Sequence, residues 1–241
     1  MNGYLDMHSH IIPSVDDGAK DMTMTMEMIA AAYEQGVRIM IATPHYYPGH
    51  NNCPPDILNK IYGETVSAIQ ETYKDFTLLL GNEIYYKEEM IDGLKEKRIF
   101  SLADTRYILV EFSVMAEYRY LYEAVKKCVN AGFYPVLAHI ERYRCLYKEE
   151  KRVAELINVG AYMQVNAENF KKGFFMPERK YCMKLLQSGM VHFLGSDCHN
   201  MESRKPNLGL AADYLEQKTE KAIFERIMKK NPKLLLENKC I

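Results

Sequence analysis

The chain has 241 residues, of which 48% are hydrophobic and 26% are charged, and its formal net charge is −1. This length and composition are typical of a globular protein with a sizeable core, and the balanced charge argues against non-specific nucleic-acid binding or a basic membrane-binding surface. No apolar run approaches the roughly 20 residues of a bilayer-spanning helix, and neither a signal peptide nor a Cys-x-x-Cys pair is recognisable, so we expect a cytoplasmic protein with free thiols and no membrane insertion.

A histidine pair follows the first predicted strand, in which residues 4–7 alternate between apolar and polar side chains. His8 and His10 are two positions apart, so on an extended backbone both imidazoles point to the same face. Two imidazoles on one face are half of a metal site, although taken alone they could equally be solvated or core histidines. The carboxylates of Asp16 and Asp17, which precede Gly18, favour the metal interpretation.

One pattern then recurs along the chain: a helical stretch closes at a glycine, an apolar strand begins at once, and a polar residue follows the strand. Glycine suits the left-handed helix stop, and short runs of Ile, Val, Leu and Phe suit buried parallel strands. Two more strands fit without a glycine, at 76–80 and 107–110, and the C-terminal stretches 208–214 and 222–229 are predicted to be helical. The four helix–strand pairs are predicted at 22–35 with 37–42, 121–131 with 133–138, 148–159 with 161–165, and 181–188 with 191–194.

The alternation of strands and helices predicts an α/β fold with parallel strands. About seven strand–helix units are recognisable, close to the eight of a (β/α) barrel. No segment has the composition of a linker, so we expect one domain over residues 1–241, and the irregular stretch 46–55 is predicted to be a loop at the barrel mouth.

The predicted strand ends carry an unusual concentration of metal-ligating side chains. In a parallel barrel the carboxyl ends of the strands meet at one rim, where active sites are built. Each residue alone has an ordinary explanation as a strand terminus or a core histidine, but together they indicate a multinuclear metal site. Imidazole and carboxylate donors without cysteine suit Mn²⁺, Fe or Zn²⁺, and two or three ions that share a bridging carboxylate fit their number. The candidate ligands are His8, His10, Asp17, His45, Glu83, Glu111, His139, Asp197 and His199.

Two arginines near these ligands point to phosphoryl chemistry. Clustered divalent ions generate hydroxide near neutral pH and neutralise a phosphoryl group during in-line displacement. Arg142 lies three residues after His139 and Arg204 lies five after His199. A guanidinium fork matches phosphate geometry, although each arginine alone could be an ordinary surface charge.

Six short motifs together resemble those of the polymerase and histidinol phosphatase (PHP) superfamily, and their spacing is similar to that of its bacterial protein-tyrosine phosphatases of capsule and exopolysaccharide synthesis. The resemblance spans the whole chain. It departs from the family where Tyr46-Tyr47-Pro48 follows His45, because some members carry basic residues there. The motifs are His8-Ser9-His10, Asp16-Asp17-Gly18, Thr43-Pro44-His45, Gly81-Asn82-Glu83, His139-Ile140-Glu141-Arg142 and Gly195-Ser196-Asp197-Cys198-His199-Asn200.

The resemblance implies a distorted (β/α)7 barrel of the PHP fold with a trinuclear site that is typically Mn²⁺-dependent. It implies phosphate binding by Arg142 and Arg204 and a substrate phosphotyrosine on the C-terminal tail of a bacterial tyrosine kinase. The adjacent carboxylate of Asp16 is an alternative to Asp17 as a ligand. The implied ligand sets are His8, His10, Glu83 and Asp197 for one ion, Glu83, Glu111 and His139 for a second, and Asp17, His45 and His199 for a third.

The expected mechanism is attack of a metal-bridging hydroxide on phosphorus, opposite the tyrosyl oxygen. The two arginines and the ions would stabilise the developing charge. The leaving phenol has a pKa of about 10, so a general acid matters less than for an alkyl ester, and the residues do not choose between His10 and Asp17 as proton donor.

Four other functions deserve comparison. Cys198 to Arg204 reads Cys-x₅-Arg, as in thiol-based tyrosine phosphatases, but the intervening loop has no glycine and contains Glu202, which would repel phosphate. The same fold could instead act on histidinol phosphate or another small monoester, or serve as a non-catalytic metal-stabilised scaffold.

A nuclease is disfavoured because no basic face accompanies the site. The oligomeric state has no signal in the sequence.

Overall fold

Parallel strands that alternate with helices build the molecule. The computed structural model describes residues 3–170 and 177–241, and in this part of the chain helices cover the outer surface of two parallel sheets. The strands are β1 (Tyr4–Ser9), β2 (Val37–Ala42), β3 (His45–Tyr46), β4 (Thr77–Leu80), β5 (Glu83–Tyr85), β6 (Tyr107–Glu111), β7 (Tyr134–Leu137), β8 (Tyr162–Asn166) and β9 (Phe193–Gly195). The α-helices are α1 (Met22–Glu34), α2 (Pro55–Thr72), α3 (Met90–Lys95), α4 (Tyr118–Asn130), α5 (Glu150–Asn158), α6 (Pro177–Gln187), α7 (Leu208–Lys218), α8 (Lys221–Glu225) and α9 (Asn231–Leu236).

The sheet is a curled half-barrel. One sheet has the order β1-β2-β4 and the other has the order β3-β5-β6-β7-β8-β9, and every pairing in both is parallel. The outer strands β1 and β9 approach each other, since Ser9 forms a bridge with Cys198 and the amide of Asp197 donates to the carbonyl of His8 over 2.9 Å. The predicted α/β fold with parallel strands is therefore confirmed, while the count of seven complete strand–helix units stays a prediction.

The recurring helix–glycine–strand pattern has the expected backbone conformation. Gly36, Gly132, Gly160 and Gly189 have φ angles between 78° and 105°, in the left-handed region that only glycine adopts easily. The sequence pattern did not predict α2 and α3. At α2 the two prolines expected in a loop instead start the helix, because Pro55 occupies its first turn, where a missing amide proton costs nothing.

The core has two parts on opposite faces of the strands. The larger lies between the strands and the surrounding helices, and the smaller fills the interior of the curled sheet with residues such as Met7, Ile41, Tyr107 and Phe193. This second cluster lies beneath the carboxyl ends of the strands and leaves that rim for polar side chains. Across the described ranges, no helix combines the length and apolarity that a membrane crossing requires.

Candidate metal centre

The carboxyl ends of the strands bring the predicted ligands into one cluster. Glu111 ends β6, His139 follows β7, and Asp197 follows β9. His45 and Glu83 begin the short strands β3 and β5 and are partners in that parallel pairing, so each projects from the same level of the sheet.

A first group of donors is wholly buried. The Nε2 atoms of His8 and His10 lie 3.2 Å apart, and each is 3.2 Å from Oε2 of Glu83. Oδ1 of Asp197 lies 3.5 Å from Nε2 of His8 and 3.6 Å from Nε2 of His10. Two imidazole nitrogens and two carboxylate oxygens that face one point form a donor set suited to a divalent cation.

A second group shares Glu83 with the first. Oε1 of Glu83 lies 2.8 Å from Nε2 of His139, and Oε1 of Glu111 lies 3.5 Å from the same nitrogen. Nδ1 of His45 is 3.1 Å from Oε2 of Glu83, and His45, Glu83 and Glu111 offer donor atoms within 4.8 Å of one another. Oε1 of Glu83 therefore faces the second group, whereas Oε2 faces the first group and His45, so this carboxylate is placed to bridge the two groups.

A third group opens to solvent. Oδ1 of Asp17 lies 3.4 Å from Nε2 of both His45 and His199, and His10 is within reach of the same point. Asp17 has 65% of its side chain exposed, whereas His199 is buried. Among the described residues, Nδ1 of His45 and Nε2 of His199 form no hydrogen bond, although they lie against Glu83 and Asp17 respectively. Buried nitrogens without partners are costly, and cations in the second and third groups would satisfy them.

Asp16 has a different position from Asp17. Its Oδ2 accepts a hydrogen bond from Nδ1 of His10 over 2.7 Å and from the amide of His45 over 3.0 Å. It therefore orients the imidazole and leaves Nε2 of His10 free to face the cluster, as carboxylates behind metal-binding histidines do. Gly18 permits the tight turn, because a Cβ there would lie 2.1 Å from the carbonyl oxygen of His10.

Gln164 was not predicted from the sequence, yet it holds two of the histidines. Its Oε1 accepts from the amide of His139 over 2.6 Å and lies 3.4 Å from Nδ1 of His8. Its Nε2 donates to Asn166, whose Nδ2 donates to Oδ2 of Asp197 over 2.8 Å. His139 and Asp197 have φ angles of 34° and 53°, strained for residues other than glycine. Gln164 thus supports the unusual backbone of His139, and Asn166 holds the side chain of Asp197.

The two predicted arginines converge on one carboxylate at the rim. Nη2 of Arg142 lies 2.9 Å from Oδ2 of Asp197, and Nη2 of Arg204 lies 2.6 Å from Oδ1 of the same residue. Both guanidinium side chains are partly exposed while Asp197 is buried. They therefore place positive charge between the buried donors and solvent, where a phosphate group would arrive.

The centre has an excess of negative charge, because it contains five carboxylates but only two arginines. This charge shifts the pKa values of several of its side chains. Burial disfavours the charged imidazolium of His10, but the carboxylates of Asp16 and Glu83 outweigh burial and raise the pKa of His10 to about 10. Burial likewise opposes the charged form of Glu83, yet the neighbouring imidazoles, His8 foremost, hold its pKa below the usual value. Burial and the charge of Glu83 raise the pKa of Glu111. In the absence of metal, the raised pKa values mean that protons partly neutralise the negative charge of this cluster. Divalent cations would neutralise the same charge and displace those protons.

The Cys-x₅-Arg segment lacks the features of a thiol-based phosphatase. Cys198 is fully buried, and burial raises the pKa of its thiol, so a nucleophilic thiolate is disfavoured. The amides of Glu202, Ser203 and Arg204 all donate to Oδ1 of Asn200. Amides that are already bonded to a side chain inside the loop cannot cradle a phosphate.

Comparison with known proteins identifies close relatives along the full chain. A family model described as "Capsular polysaccharide synthesis, CpsB/CapC" matches residues 4–237. The tyrosine-protein phosphatase CpsB of Streptococcus agalactiae is 34% identical over 242 residues, and the match covers 98% of this chain and 100% of that protein. The tyrosine-protein phosphatase YwqE of Bacillus subtilis is 30% identical, with 98% of this chain and 93% of YwqE covered.

A solved structure agrees with these matches. A crystal structure from work on YwqE of Bacillus subtilis and CpsB of Streptococcus pneumoniae, described as metal-dependent tyrosine phosphatases, superposes with a TM-score of 0.89 and 30% identity. The superposition covers 98% of this chain and 96% of that one. The chain therefore belongs to the CpsB/CapC family of capsular polysaccharide synthesis.

Proposed function

We propose that this chain is a metal-dependent protein-tyrosine phosphatase. The proposal rests on one observation: imidazoles and carboxylates from separate strands meet in a buried cluster with two arginines at its solvent side. The relatives named as tyrosine-protein phosphatases, and the solved structure described as metal-dependent, support the assignment.

We propose three ion positions, with Mn²⁺ as the ion and Fe or Zn²⁺ as alternatives. The donor chemistry, nitrogen and oxygen without thiolate, suits these metals. Ions bound there would lower the pKa of water and neutralise phosphoryl charge. The proposed sets are His8, His10, Glu83 and Asp197; Glu83, Glu111 and His139; and Asp17, His45 and His199. His10 and His45 each lie near a neighbouring set as well.

The arginines then have a defined task. Arg142 and Arg204 would hold the phosphate oxygens and stabilise the charge that develops during transfer. His10 is buried, with Nδ1 bonded to Asp16 and Nε2 facing Glu83, so it has no path to a leaving group. Asp17 is exposed and could reach a leaving group, but the neighbouring imidazoles of His199 and His45 hold the pKa of its carboxyl well below the usual value, so it is ionised at neutral pH and is a poor proton donor. A phenol with a pKa of about 10 leaves with little assistance.

The proposed substrate is phosphotyrosine in another protein, with the C-terminal tail of a bacterial tyrosine kinase as the first candidate. Membership of a family of capsular polysaccharide synthesis supports a partner that regulates capsule or exopolysaccharide production. The exposure of Asp17 and the partial exposure of Arg142 leave room for a protein segment to approach the centre.

The fold prediction is also retained as a proposal. Residues 1–241 would form one domain whose two sheets together make a distorted (β/α)7 barrel. If β2 with β3 and β4 with β5 are counted as interrupted strands, the nine strands of the described residues occupy seven positions. The bridge between Ser9 and Cys198 supports closure of β1 on β9.

The proposal is tested by metal removal and reconstitution. The purified chain is dialysed against EDTA, loaded with Mn²⁺, and assayed on a phosphotyrosyl peptide and on histidinol phosphate, with metal content measured in parallel. We expect turnover of the peptide only with metal, and loss of turnover in His139→Ala. Cys198→Ser should retain most of the activity. Activity that survives EDTA treatment would refute the metal-dependent mechanism. Faster turnover of histidinol phosphate than of the peptide would refute phosphotyrosine as the substrate. A metal-loaded chain without turnover would point to a non-catalytic scaffold.

A further inference from the structure

Tyr47 lies at the edge of the metal centre, directly after β3. Its ring centroid is 5.3 Å from that of His45 and 5.6 Å from that of Tyr85, and the rings are tilted by 38° and 34°. The side chain remains 36% exposed. One part of the ring is thus packed against a candidate ligand and a second aromatic ring, while another part faces solvent.

The loop that carries Tyr47 is held in one conformation. Oδ1 of Asn52 accepts from the amide of Tyr47 over 2.7 Å, and Nδ2 of Asn52 donates to the carbonyls of Tyr47 over 2.9 Å and His50 over 3.1 Å. Nζ of Lys87 donates to the carbonyl of Pro48 over 3.1 Å. The amide group of Asn52 therefore fixes both peptide groups of Tyr47, so its ring is positioned before any ligand binds.

The hydroxyl group of Tyr47 is near the centre but is not used within the fold. Within residues 3–170 and 177–241 this hydroxyl group forms no hydrogen bond with a protein group. The side-chain contacts of Tyr47 are those of its ring.

We propose that Tyr47, backed by Tyr85, forms an aromatic wall that packs against the phenyl ring of the substrate, and so selects aryl over alkyl phosphomonoesters. This inference rests on the proposed phosphatase function. A phosphate anchored at the metal centre leaves the attached group at the rim, beside His45 and Tyr47. A flat ring gains contact with an aromatic wall through offset or edge-to-face packing, whereas a short alkyl group offers little surface for it.

The test compares the binding of two non-hydrolysable anions, phenylphosphonate and methylphosphonate, to the Mn²⁺-loaded chain by calorimetry. The variants are Tyr47→Ala and Tyr47→Phe, with Tyr122→Ala as a control for loss of a half-buried tyrosine in α4. Aromatic pairs contribute modestly, so we expect the preference for phenyl over methyl to fall about five-fold in Tyr47→Ala. It should hold in Tyr47→Phe and Tyr122→Ala. Metal content and thermal unfolding of each variant report whether the loop and the centre are intact.

Two results would overturn the inference. An equal loss of affinity for both phosphonates in Tyr47→Ala would mean that Tyr47 only supports His45. A Tyr47→Phe variant as impaired as Tyr47→Ala would assign the effect to the hydroxyl group. If the loaded chain turns over no phosphotyrosyl peptide but Tyr47→Ala still loses the phenyl preference, the phosphatase proposal fails and the aromatic subsite stands.

Discussion

Gln164 connects two candidate ligands that are far apart in sequence, since its single carbonyl oxygen lies between the amide of His139 and Nδ1 of His8. Replacing Gln164 with methionine keeps the volume but removes this acceptor. Groups behind metal-binding histidines typically contribute about 10- to 100-fold in affinity. We therefore expect Gln164→Met to weaken Mn²⁺ binding by that order, measured by competition with a chelating dye.

Gln164→Glu provides the comparison, because it keeps the acceptor while it loses the bond to Asn166 and adds a negative charge near the centre. It should bind Mn²⁺ more tightly than Gln164→Met. Equal affinities for the parent and Gln164→Met would show that the strained backbone of His139, at a φ of 34°, needs no support from Gln164.

Proton release should accompany metal binding. In the metal-free protein the carboxylates of Asp16 and Glu83 outweigh burial and raise the pKa of His10 to about 10, so its imidazole is charged at pH 7. An imidazole must be neutral to bind a metal ion, and a proton must therefore leave His10 as the ion binds. Affinity should rise with pH, by about tenfold per unit for each proton released.

A pH indicator in weakly buffered protein measures this release during titration with Mn²⁺. We expect the solution to acidify as Mn²⁺ binds, and the affinity for Mn²⁺ to be weaker at pH 6 than at pH 8. Titration of EDTA-treated Glu83→Gln, which lacks a charge that stabilises the imidazolium, should release fewer protons. Metal binding without a pH change would contradict the protonated state of His10.

Residue types at strand ends were sufficient to predict which side chains come together at the centre, because imidazole and carboxylate side chains at such positions are recognisable one at a time. The roles of Asp16 and Gln164 were not predictable in that way. An amide within a strand has no signature of its own, and its task depends on which strands are neighbours. The choice between Asp16 and Asp17 likewise depends on how the turn at Gly18 directs each carboxylate.

Strands β9 and β1 approach so closely at Gly195 that no larger side chain can be accommodated there without movement of the strands. A Cβ at Gly195 would lie 2.5 Å from Cβ of His8, inside the contact limit. Gly195→Ala should therefore push β9 away from β1 and lower the free energy of unfolding by about 1–3 kcal/mol, as overpacking typically does. Chemical denaturation measures the loss, and metal affinity should fall with it because His8 moves.

Gly63→Ala in α2 is the opposite case. A Cβ at Gly63 meets no described atom within 4 Å, and its helical backbone suits alanine. This substitution should raise stability by up to about 1 kcal/mol. If Gly195→Ala were as well tolerated as Gly63→Ala, the close approach of β9 to β1 would be wrong.

Most long elements followed the sequence pattern, whereas the 18-residue helix α2 and the shortest strands did not. The predicted strand at 37–42 coincides with β2, and the helix predicted at 22–35 corresponds to α1. The strands β3 and β5 escaped prediction because two or three residues cannot establish a period. Their pairing comes instead from tertiary contacts such as the bond from Nδ2 of Asn82 to the carbonyl of Pro44.

The whole molecule has a polar end and an aromatic end. At the amino ends of the strands, the hydroxyl group of Tyr107 donates to the carbonyl of Lys239 over 2.6 Å, and the amide of Ile241 donates to the hydroxyl oxygen of Tyr162 over 3.2 Å. The C-terminal residues thus cover the inner apolar cluster. Hydrophobic packing holds this end together, whereas the opposite end gathers five carboxylates whose charge the imidazoles and two arginines offset only in part.

That asymmetry predicts that metal stabilises the fold as a whole. The donors come from most of the strands, so bound ions would tie β1, β3, β5, β6 and the ends of β7 and β9 together. A ligand at 100 times its Kd adds about 2.7 kcal/mol to stability, which for a chain of this size raises Tm by about 5–10 °C. Scanning calorimetry with excess Mn²⁺ and with EDTA measures the difference. Glu83→Gln, which removes the carboxylate shared by two donor groups, should lose more than half of the shift. A shift of equal size in Glu83→Gln would place the stabilising ion elsewhere on the molecule.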